Sequence, residues 1–581
     1  MNDRGNRRGH SSEAGVAHLP KLCGADIELG NFVLGVRSKR GTGFEASRLL
    51  LREIEGLPRV ERFRGEPCDC AACRRARESS ERGETIGAVG RSSTGNGGVQ
   101  GSVNPQDWGR KYLASNGGCA YIDLDHLELC LPEVLSAYDH VACWHAMLRI
   151  ARGALESANE KLPSGRKVQV LVNNSDGKGN SYGSHLDFLI TRRAWDNIFC
   201  RKIHYMLYLA AFQASSIVYT GQGKAGSENG AAEVPFQLSG RADFFERLVG
   251  AQTTHNRPIV NSRDEPLCGR SAARDDDDAA GEMARLHVIF FDNTLCHVAS
   301  LLKVGVMQIV LAMIEAEQVN IELLLDDPVD AVTRWSHDPT LRAQAMLTTG
   351  EELTAVELQL RFLEDAKQFV ASGGCDSVVP RAGEIVALWE DTLLKLQAGD
   401  FESLAPRVDW VLKLSVLQQV LDQNPELTWD SPEIKHLDHL YSSLDQSEGL
   451  YWAYERGGFV ERVVADEQIE CFTVSPPDDT RAWTRAMLLR WAGPEVVDDV
   501  DWDSIRFNTG YERYRTTYRK LDLANPLAFT KAASARAFEH ATTLDELLDS
   551  LGGANEDGRG KERSIAMVPI RYSWDRDDMS G

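Results

Sequence analysis

The sequence contains no unbroken apolar run of about 20 residues, the length a bilayer-spanning helix needs, so no membrane span is expected. Its first ten residues include Asp3, Arg4, Arg7 and Arg8 and have no apolar core, so residues 1–20 read as a short disordered tail rather than a signal peptide, and a cytoplasmic protein is expected. Positive charge is in deficit, with 64 Lys and Arg against 86 Asp and Glu for a net charge of −22. That balance argues against non-specific nucleic-acid binding. It leaves room for a basic partner surface, or for cations that neutralise part of the acid. Paired cysteine clusters are missing too. Most of the 12 cysteines, such as Cys119, Cys143, Cys200 and Cys296, are isolated within apolar segments, as reduced buried thiols are. Cys68, Cys70 and Cys73 are the exception. Three thiols this close can hold a structural zinc if a fourth ligand comes from elsewhere, yet no second cluster follows at zinc-finger spacing, and free thiols in a loop remain the other reading.

What is there is ordinary for a globular chain: 43% hydrophobic and 26% charged residues over 581 positions, enough for one large domain with additions. Residues 22–35 read as a strand and turn in which Asp26 and Glu28, two apart, share a face. A helix is expected over 44–56. Residues 57–107 are rich in Arg, Glu, Gly and Ser and read as a long inserted loop. A helix follows Pro132 to about Ala158, and a strand over 168–172 leads into the Gly- and Asn-rich loop 173–185. That loop carries Lys178 and ends at His185. Such a loop can bring backbone N–H groups close to phosphate, although it lacks P-loop spacing, and a surface hairpin loop accounts for it equally. Residues 238–266 hold Arg241, Arg257 and Arg263, suited to bidentate recognition of phosphate or carboxylate, or to structural pairing with nearby aspartates. An acidic excursion is expected over 268–283, a core strand over 285–292, and helices from about 296 to 425.

The densest chemistry lies in residues 121–133. Asp123, Asp125, Glu128, Glu133 and His126 fall there, with Ile122, Leu124, Leu127, Leu129 and Leu131 alternating through part of it, which reads as a strand with acids on one face. Like charges repel, so such a group suits a cation site with a carboxylate to spare for chemistry. A half-exposed edge strand with solvated acids is the competing reading.

Taken together these stretches resemble the family of Pup ligases and Pup deamidase/depupylases, relatives of glutamine synthetase and the carboxylate-amine ligases. The resemblance is carried by Gly24 to Gly30, Tyr121 to Glu128, Asn173 to His185, Ser239 to Asp243, Arg257 to Pro266, Arg285 to Ile289 and Leu302 to Gly305, then more weakly by segments near 408, 449, 476, 502 and 525. It implies an α+β fold: a glutamine-synthetase-like open antiparallel sheet backed by helices over 21–425, a small C-terminal domain over 426–552 and a flexible tail over 553–581. It implies ATP and Mg²⁺ as cofactors, a Pup-like small protein modifier and its conjugates as partners, and proteasome-linked factors beside them. By the same resemblance Asp26, Glu28, Glu128 and His185 are expected to bind magnesium. Arg241, Arg257, Arg263 and Lys178 are expected to contact nucleotide phosphate, and Asp123 to be the catalytic nucleophile or base.

Within the family, the distance of 97 positions from Asp26 to Asp123 leaves room for the depupylase's inserted loop, and the two residues between Asp123 and His126 match the depupylase as well. Asn116, Gly117 and Gly118 read more like the ligase. The expected activity is therefore cleavage of a side-chain amide or isopeptide of the modifier. The alternatives are a ligase joining a modifier's terminal glutamate to lysine through an acyl phosphate, and an inactive modifier-binding homologue. The sequence departs from the family pattern at Asp26, Leu127, Leu186, Asp187, Thr294 and His297, so part of the metal or nucleotide shell is expected to differ.

Overall fold

The computed structural model describes residues 18–36, 41–58, 108–265, 267–268, 282–512 and 515–555. Cys68, Cys70 and Cys73, and most of the expected loop 57–107, the acidic excursion and the two tails, lie outside the described residues.

Strand β1 (Cys23–Leu34) is the spine of the sheet. Cys23, Ala25, Ile27 and Leu29 are buried on the helix side, so the intervening Asp26 and Glu28 face the other way. Its neighbours are β2 (Leu57–Pro58), β3 (Trp108–Tyr112), β4 (Cys119–Asp123), β5 (His126–Cys130), β6 (Lys167–Leu171), β7 (Ser184–Thr191) and, later in the chain, β10 (Met283–Val288). The order across the sheet is β10-β7-β1-β5-β4-β3-β2, with β6 paired to the second half of β1, and every pairing is antiparallel. This is the open antiparallel sheet that the sequence led us to expect. A separate parallel pair, β8 (Phe245–Gly250) and β9 (Arg257–Asn261), carries the arginine segment.

The acidic stretch is a hairpin rather than one strand. Strands β4 and β5 are joined by Leu124 and Asp125 alone, with Asp123 opposite His126. Ile122, Leu127 and Leu129 are fully buried, whereas Leu124 turns outward at a φ of 52°. Asn31 fixes this turn from below. Its Nδ2 donates to the carbonyls of Gly43 (2.8 Å) and Asp125 (3.2 Å), and its Oδ1 accepts from the Leu127 N–H at 3.0 Å.

Behind the sheet lie α1 (Gly43–Glu53), α2 (Ala137–Glu160), α3 (Ile203–Thr220) and α4 (His297–Glu315). Helix α2 starts where Ser136 Oγ accepts from the Tyr138 N–H at 3.1 Å. Helix α3 runs unbroken to Thr220 because its apolar residues continue at helical spacing that far. Helix α4 corrects the membrane expectation: by length and composition it could cross a bilayer. All of it is buried inside the protein, where each fully covered Leu, Ile or Val contributes about 1.5–3 kcal/mol, so it is a core helix. Helices α5 (Ala355–Ala371), α6 (Ala382–Ala398) and α7 (Asp409–Gln423) extend the same core.

Ile434, Tyr441, Tyr451, Trp452 and Ile469 also belong to that core, so the boundary expected at 425 falls inside it. The second core forms beyond it. Helix α8 (Arg481–Ala492), strands β11 (Val497–Val500), β12 (Ser504–Glu512), β13 (Arg515–Asp522) and β14 (Ala554–Asn555), and helices α9 (Lys531–His540) and α10 (Leu544–Leu551) enclose Leu488, Ile505, Phe507, Leu521 and Leu548. Tyr112, Cys119 and Cys130 of the large sheet reach into this second core, which seats the small domain at one end of the sheet.

Candidate active site

Residues directly opposite each other on antiparallel neighbours share a face. Glu28 on β1 stands opposite Glu128 on β5, which stands opposite Tyr121 on β4. One pleat away, Asp26 has Cys130 on one side and His185 on the other. One pleat further, Gly24 is followed by Asp187 on β7 and His287 on β10. Three cross-strand rows thus present acids, a thiol and imidazoles on the sheet face turned away from the helices. A cavity of about 420 Å³ opens over them, lined by Asp26, Asp123, Glu128, Cys130, His185 and Asp187, with Arg481, Asp501 and Trp502 contributed by the small domain.

The acids are crowded. Ligand oxygens of Glu28, Asp123 and Glu128 lie within 4.8 Å of one another, and a second group is formed by Asp26, Glu128 and Cys130 on the same criterion. Burial, then the neighbouring Asp187, raises the Asp26 carboxyl to about 6. Burial raises Glu28 as well, against the pull of Arg241 and Arg257. Glu128 is pushed far up by burial and by Asp26, Glu28 and Asp123, and Tyr121 donates its hydroxyl to one of its oxygens. Carboxylates held apart from water and close together are stabilised in ionised form by a divalent cation, so these residues fit one. Burial and the nearby His287 and Arg241 drive the His185 imidazole well below its ordinary range, leaving it neutral with a lone pair to offer. Asp187 differs from its neighbours. Burial would raise it, but Arg285 (3.2 Å) and His287 (2.8 Å) outweigh that and hold it below the usual carboxylate range.

Next to Glu28 lie two buried guanidinium groups. Arg241 donates from Nη2 to the Ile289 carbonyl at 2.7 Å, while its Nε and Nη1 have no protein acceptor. Arg257 donates from Nη2 to the carbonyls of Ser181 (2.8 Å) and Thr253 (2.7 Å), and its Nη1 has none. Gly183 makes room for the first: a Cβ there would stand 2.4 Å from Arg241 Nη1. Buried donors left without acceptors are costly, and a multiply charged anion such as a phosphate supplies what they lack.

A family profile described as Pup-ligase protein matches residues 59–506. The chain belongs to the Pup-ligase protein family. It is 34% identical over 441 residues to a depupylase of Acidothermus cellulolyticus, covering 76% of this chain and 83% of that protein. It is 33% identical over 439 residues to a Pup deamidase/depupylase of Mycolicibacterium smegmatis, with 76% and 83% covered. A Pup–protein ligase of Sanguibacter keddieii is 34% identical over 415 residues, with 70% and 86% covered. Among solved structures, the fold matches the ligase PafA in complex with the ubiquitin-like protein Pup at a TM-score of 0.68 and 22% identity, covering 91% of this chain and 95% of that one. PafA in complex with ADP matches at a TM-score of 0.63 and 25% identity, covering 74% and 90%. Family members are thus enzymes named for making or for breaking Pup conjugates.

Of the residues singled out in the sequence, Asp26, Asp123, Glu128, His185 and Arg263 line the cavity, and Glu28 stands directly beside Glu128. Arg241 and Arg257 lie beside Glu28 and pull its carboxyl down. Lys178 is not brought in. Its loop closes on Asp176, whose Oδ1 accepts from the N–H groups of Lys178 (2.8 Å) and Asn180 (3.1 Å), and the Lys178 side chain faces solvent. The departures from the family pattern are absorbed elsewhere. Leu186 faces the core, and Asp187 beside it supplies a carboxylate to the cavity. Thr294 bonds Lys303 Nζ at 3.0 Å, and His297 stacks on His145 at a centroid distance of 4.2 Å, both away from the cavity lining. At Leu127 a proline could not make the N–H bond to Asn31. Sequence reading missed Cys130, Arg285 and His287, although Cys130 follows Glu128 by two and so had to share its face.

Proposed function

We propose that the protein is an amidase of a Pup-like modifier, cleaving its terminal side-chain amide or the isopeptide that joins it to a substrate lysine, with Asp123 as nucleophile. The observation that carries this is the position of Asp123 at the last residue of β4, on the cavity wall and within 4.8 Å of the carboxylate oxygens of Glu28 and Glu128. Glu28, Glu128, Asp26 and His185 would hold Mg²⁺, and Arg241 and Arg257 the phosphates of ATP, with Arg263 at the cavity rim. When bound, Mg²⁺ would supply the positive charge that keeps Asp123 ionised and polarises a carbonyl oxygen. The Asp123 carboxylate attacks the carbonyl carbon. The carbon–nitrogen bond breaks, nitrogen takes a proton from water and leaves as ammonia or a lysine amine, and hydroxide from that water hydrolyses the acylated carboxylate back to its starting form.

The two-residue turn between Asp123 and His126 supports the amidase over the ligase. The ligase-like Asn116-Gly117-Gly118 has a local cause. A Cβ on Gly117 would stand 2.7 Å from the Ala482 carbonyl, and one on Gly118 2.7 Å from that of Cys130. Gly117 answers to packing against helix α8 of the small domain and Gly118 to packing against the neighbouring strand β5, rather than to the reaction catalysed.

The test is incubation of the purified protein with ATP, Mg²⁺ and a Pup-like modifier ending in glutamine, or with a modifier–protein conjugate. Ammonia or free substrate is expected, and Asp123→Asn should lower the rate on the order of 10³-fold or more with nucleotide binding intact. ADP appearing with new conjugate would establish the ligase instead. Modifier binding without any turnover would establish the inactive homologue.

A further inference from the structure

A second cavity, of about 820 Å³, opens where the first turn of α5, the last turn of α6 and one side of α7 meet, and it shares no lining residue with the acidic cavity. Its volume lies in the range of small-molecule sites, about 300–1,000 Å³. The walls are apolar and aromatic. Phe236 is buried, and its ring centre lies 5.8 Å from that of Trp429 at an angle of 53°, so the two make a bent aromatic wall that Val356, Leu396 and Leu414 extend. Leu341 is set against the same space by a pinned loop. Asp338 Oδ2 accepts from the N–H groups of Arg342 (2.8 Å) and Ala343 (2.6 Å), and Leu341 is held at a φ of 60°. A leucine keeps that conformation only where its surroundings over-determine it, so this wall is fixed before anything enters.

Several polar groups of the lining are already spent. The Thr340 hydroxyl donates to Asp338 at 2.5 Å, the Thr354 hydroxyl to Glu357 at 2.9 Å, and Gln418 Nε2 to Asp422 at 2.8 Å. His337 differs. Asp243 Oδ2 accepts from the Glu228 N–H and from Gln237 Nε2, both at 2.8 Å, which marks this carboxyl as an acceptor, so its Oδ1 accepts from His337 Nε2 at 2.7 Å. In the neutral ring that bond fixes the tautomer and leaves a lone pair on Nδ1, which has no hydrogen-bond partner among the described residues. We infer that this cavity binds a small planar heteroaromatic molecule carrying a ring N–H, with its flat body against Phe236, Trp429 and Leu341 and its N–H donated to His337 Nδ1. Aromatic walls take any flat apolar body, and a single positioned acceptor selects those that bring a donor. The site stands apart from Asp123 and does not depend on the reaction proposed for it.

The experiment is a ligand-observed NMR titration of the full-length chain with indole and with benzofuran, an isostere in which a ring oxygen replaces the N–H. Indole should bind with a dissociation constant of about 0.1–1 mM, as a fragment of its size allows. Benzofuran should bind about 3–10-fold more weakly, the loss of one hydrogen bond. His337→Phe keeps a ring in place but removes the acceptor, and should bring the two affinities together. Ala398→Trp, at the exposed last residue of α6, places a large side chain in the cavity and should abolish binding of both. Circular dichroism and urea midpoints of both variants should match the parent, which separates a lost site from a lost fold. No indole binding in this range, equal affinity for indole and benzofuran in the parent, or indole binding that survives Ala398→Trp would each overturn the inference.

Discussion

At the residue scale the site depends on where polar groups are left to find partners. Arg241 and Arg257 are buried beside Glu28, with three N–H-bearing nitrogens lacking acceptors. Gly183 is the reason Arg241 can lie so close to the strand. Replacing it by alanine would bring a Cβ to 2.4 Å from Arg241 Nη1 and 2.9 Å from its Cδ. Gly183→Ala should therefore displace the guanidinium and weaken ATP binding about tenfold or more, roughly the loss of one charge-assisted hydrogen bond of 1.5–3 kcal/mol. Equilibrium binding of a fluorescent ATP analogue would measure it, and unchanged affinity would mean that Arg241 does not meet the nucleotide. These roles were partly legible beforehand. The period of two puts Asp26 with Glu28, and Glu128 with Cys130. No local pattern could tell that Lys178 would be left in solvent by its own loop, because that follows from Asp176 capturing two backbone N–H groups.

At the scale of elements, the hairpin β4–β5 is the part whose signal was present but misread. The buried positions run even through Ile122 and then odd through Leu127, Leu129 and Leu131. A strand cannot change the parity of its buried face without a turn or bulge, so the slip itself marks the two-residue turn. Leu124 obscured it, because a leucine in the left-handed region is sterically disfavoured and turn residues are expected to be Gly, Asn or Asp. Its φ of 52° at an exposed position is a local strain that the Asn31 bonds overcome. Two opposite changes follow. Leu124→Gly should stabilise the protein by about 0.5–1 kcal/mol, since the left-handed penalty of about 1–2 kcal/mol exceeds what glycine loses in chain entropy. Asn31→Ala should cost about 2–3 kcal/mol, because the Leu127 N–H and the Asp125 carbonyl lose a buried partner. Urea unfolding midpoints would compare them. If both variants shift in the same direction, the turn is not held in the way described. Helix α4 was legible in the opposite sense: its apolar face is continuous because every side of it is covered, a state that sequence alone cannot tell from a membrane span.

On the scale of the whole molecule, the site is completed by a domain whose junction with the large sheet includes one buried carboxylate. Glu133, just past β5, accepts from Arg481 Nε at 2.8 Å and from Arg485 Nη2 at 2.6 Å, both on α8. Arg485 also donates to the Gly117 carbonyl at 2.7 Å, and its guanidinium lies 4.6 Å from the centre of the Trp502 ring. Burial alone would raise Glu133, but Arg485 and Arg481 outweigh it and hold the carboxyl at about 2. The unfolded value is about 4.3, so the folded state binds its proton less readily than the unfolded chain. Stability from this group is fully present above about pH 4.3 and is lost as the pH falls through 2, a contribution on the order of 3 kcal/mol. Glu133→Gln should therefore destabilise the protein at pH 7, and its deficit against the parent should shrink steadily from pH 5 to pH 2.5. Arg485→Ala should cost more at neutral pH, about 3–5 kcal/mol, because it leaves the carboxylate buried with half its compensation gone. Since Arg481, Asp501 and Trp502 line the cavity from the small domain, the same change should lower turnover with the nucleotide-binding arginines untouched. Urea titrations of the parent and both variants at pH 7, 5, 3 and 2.5 decide the matter: a Glu133→Gln deficit that does not change with pH would remove the carboxylate from its place as the electrostatic joint between the two domains.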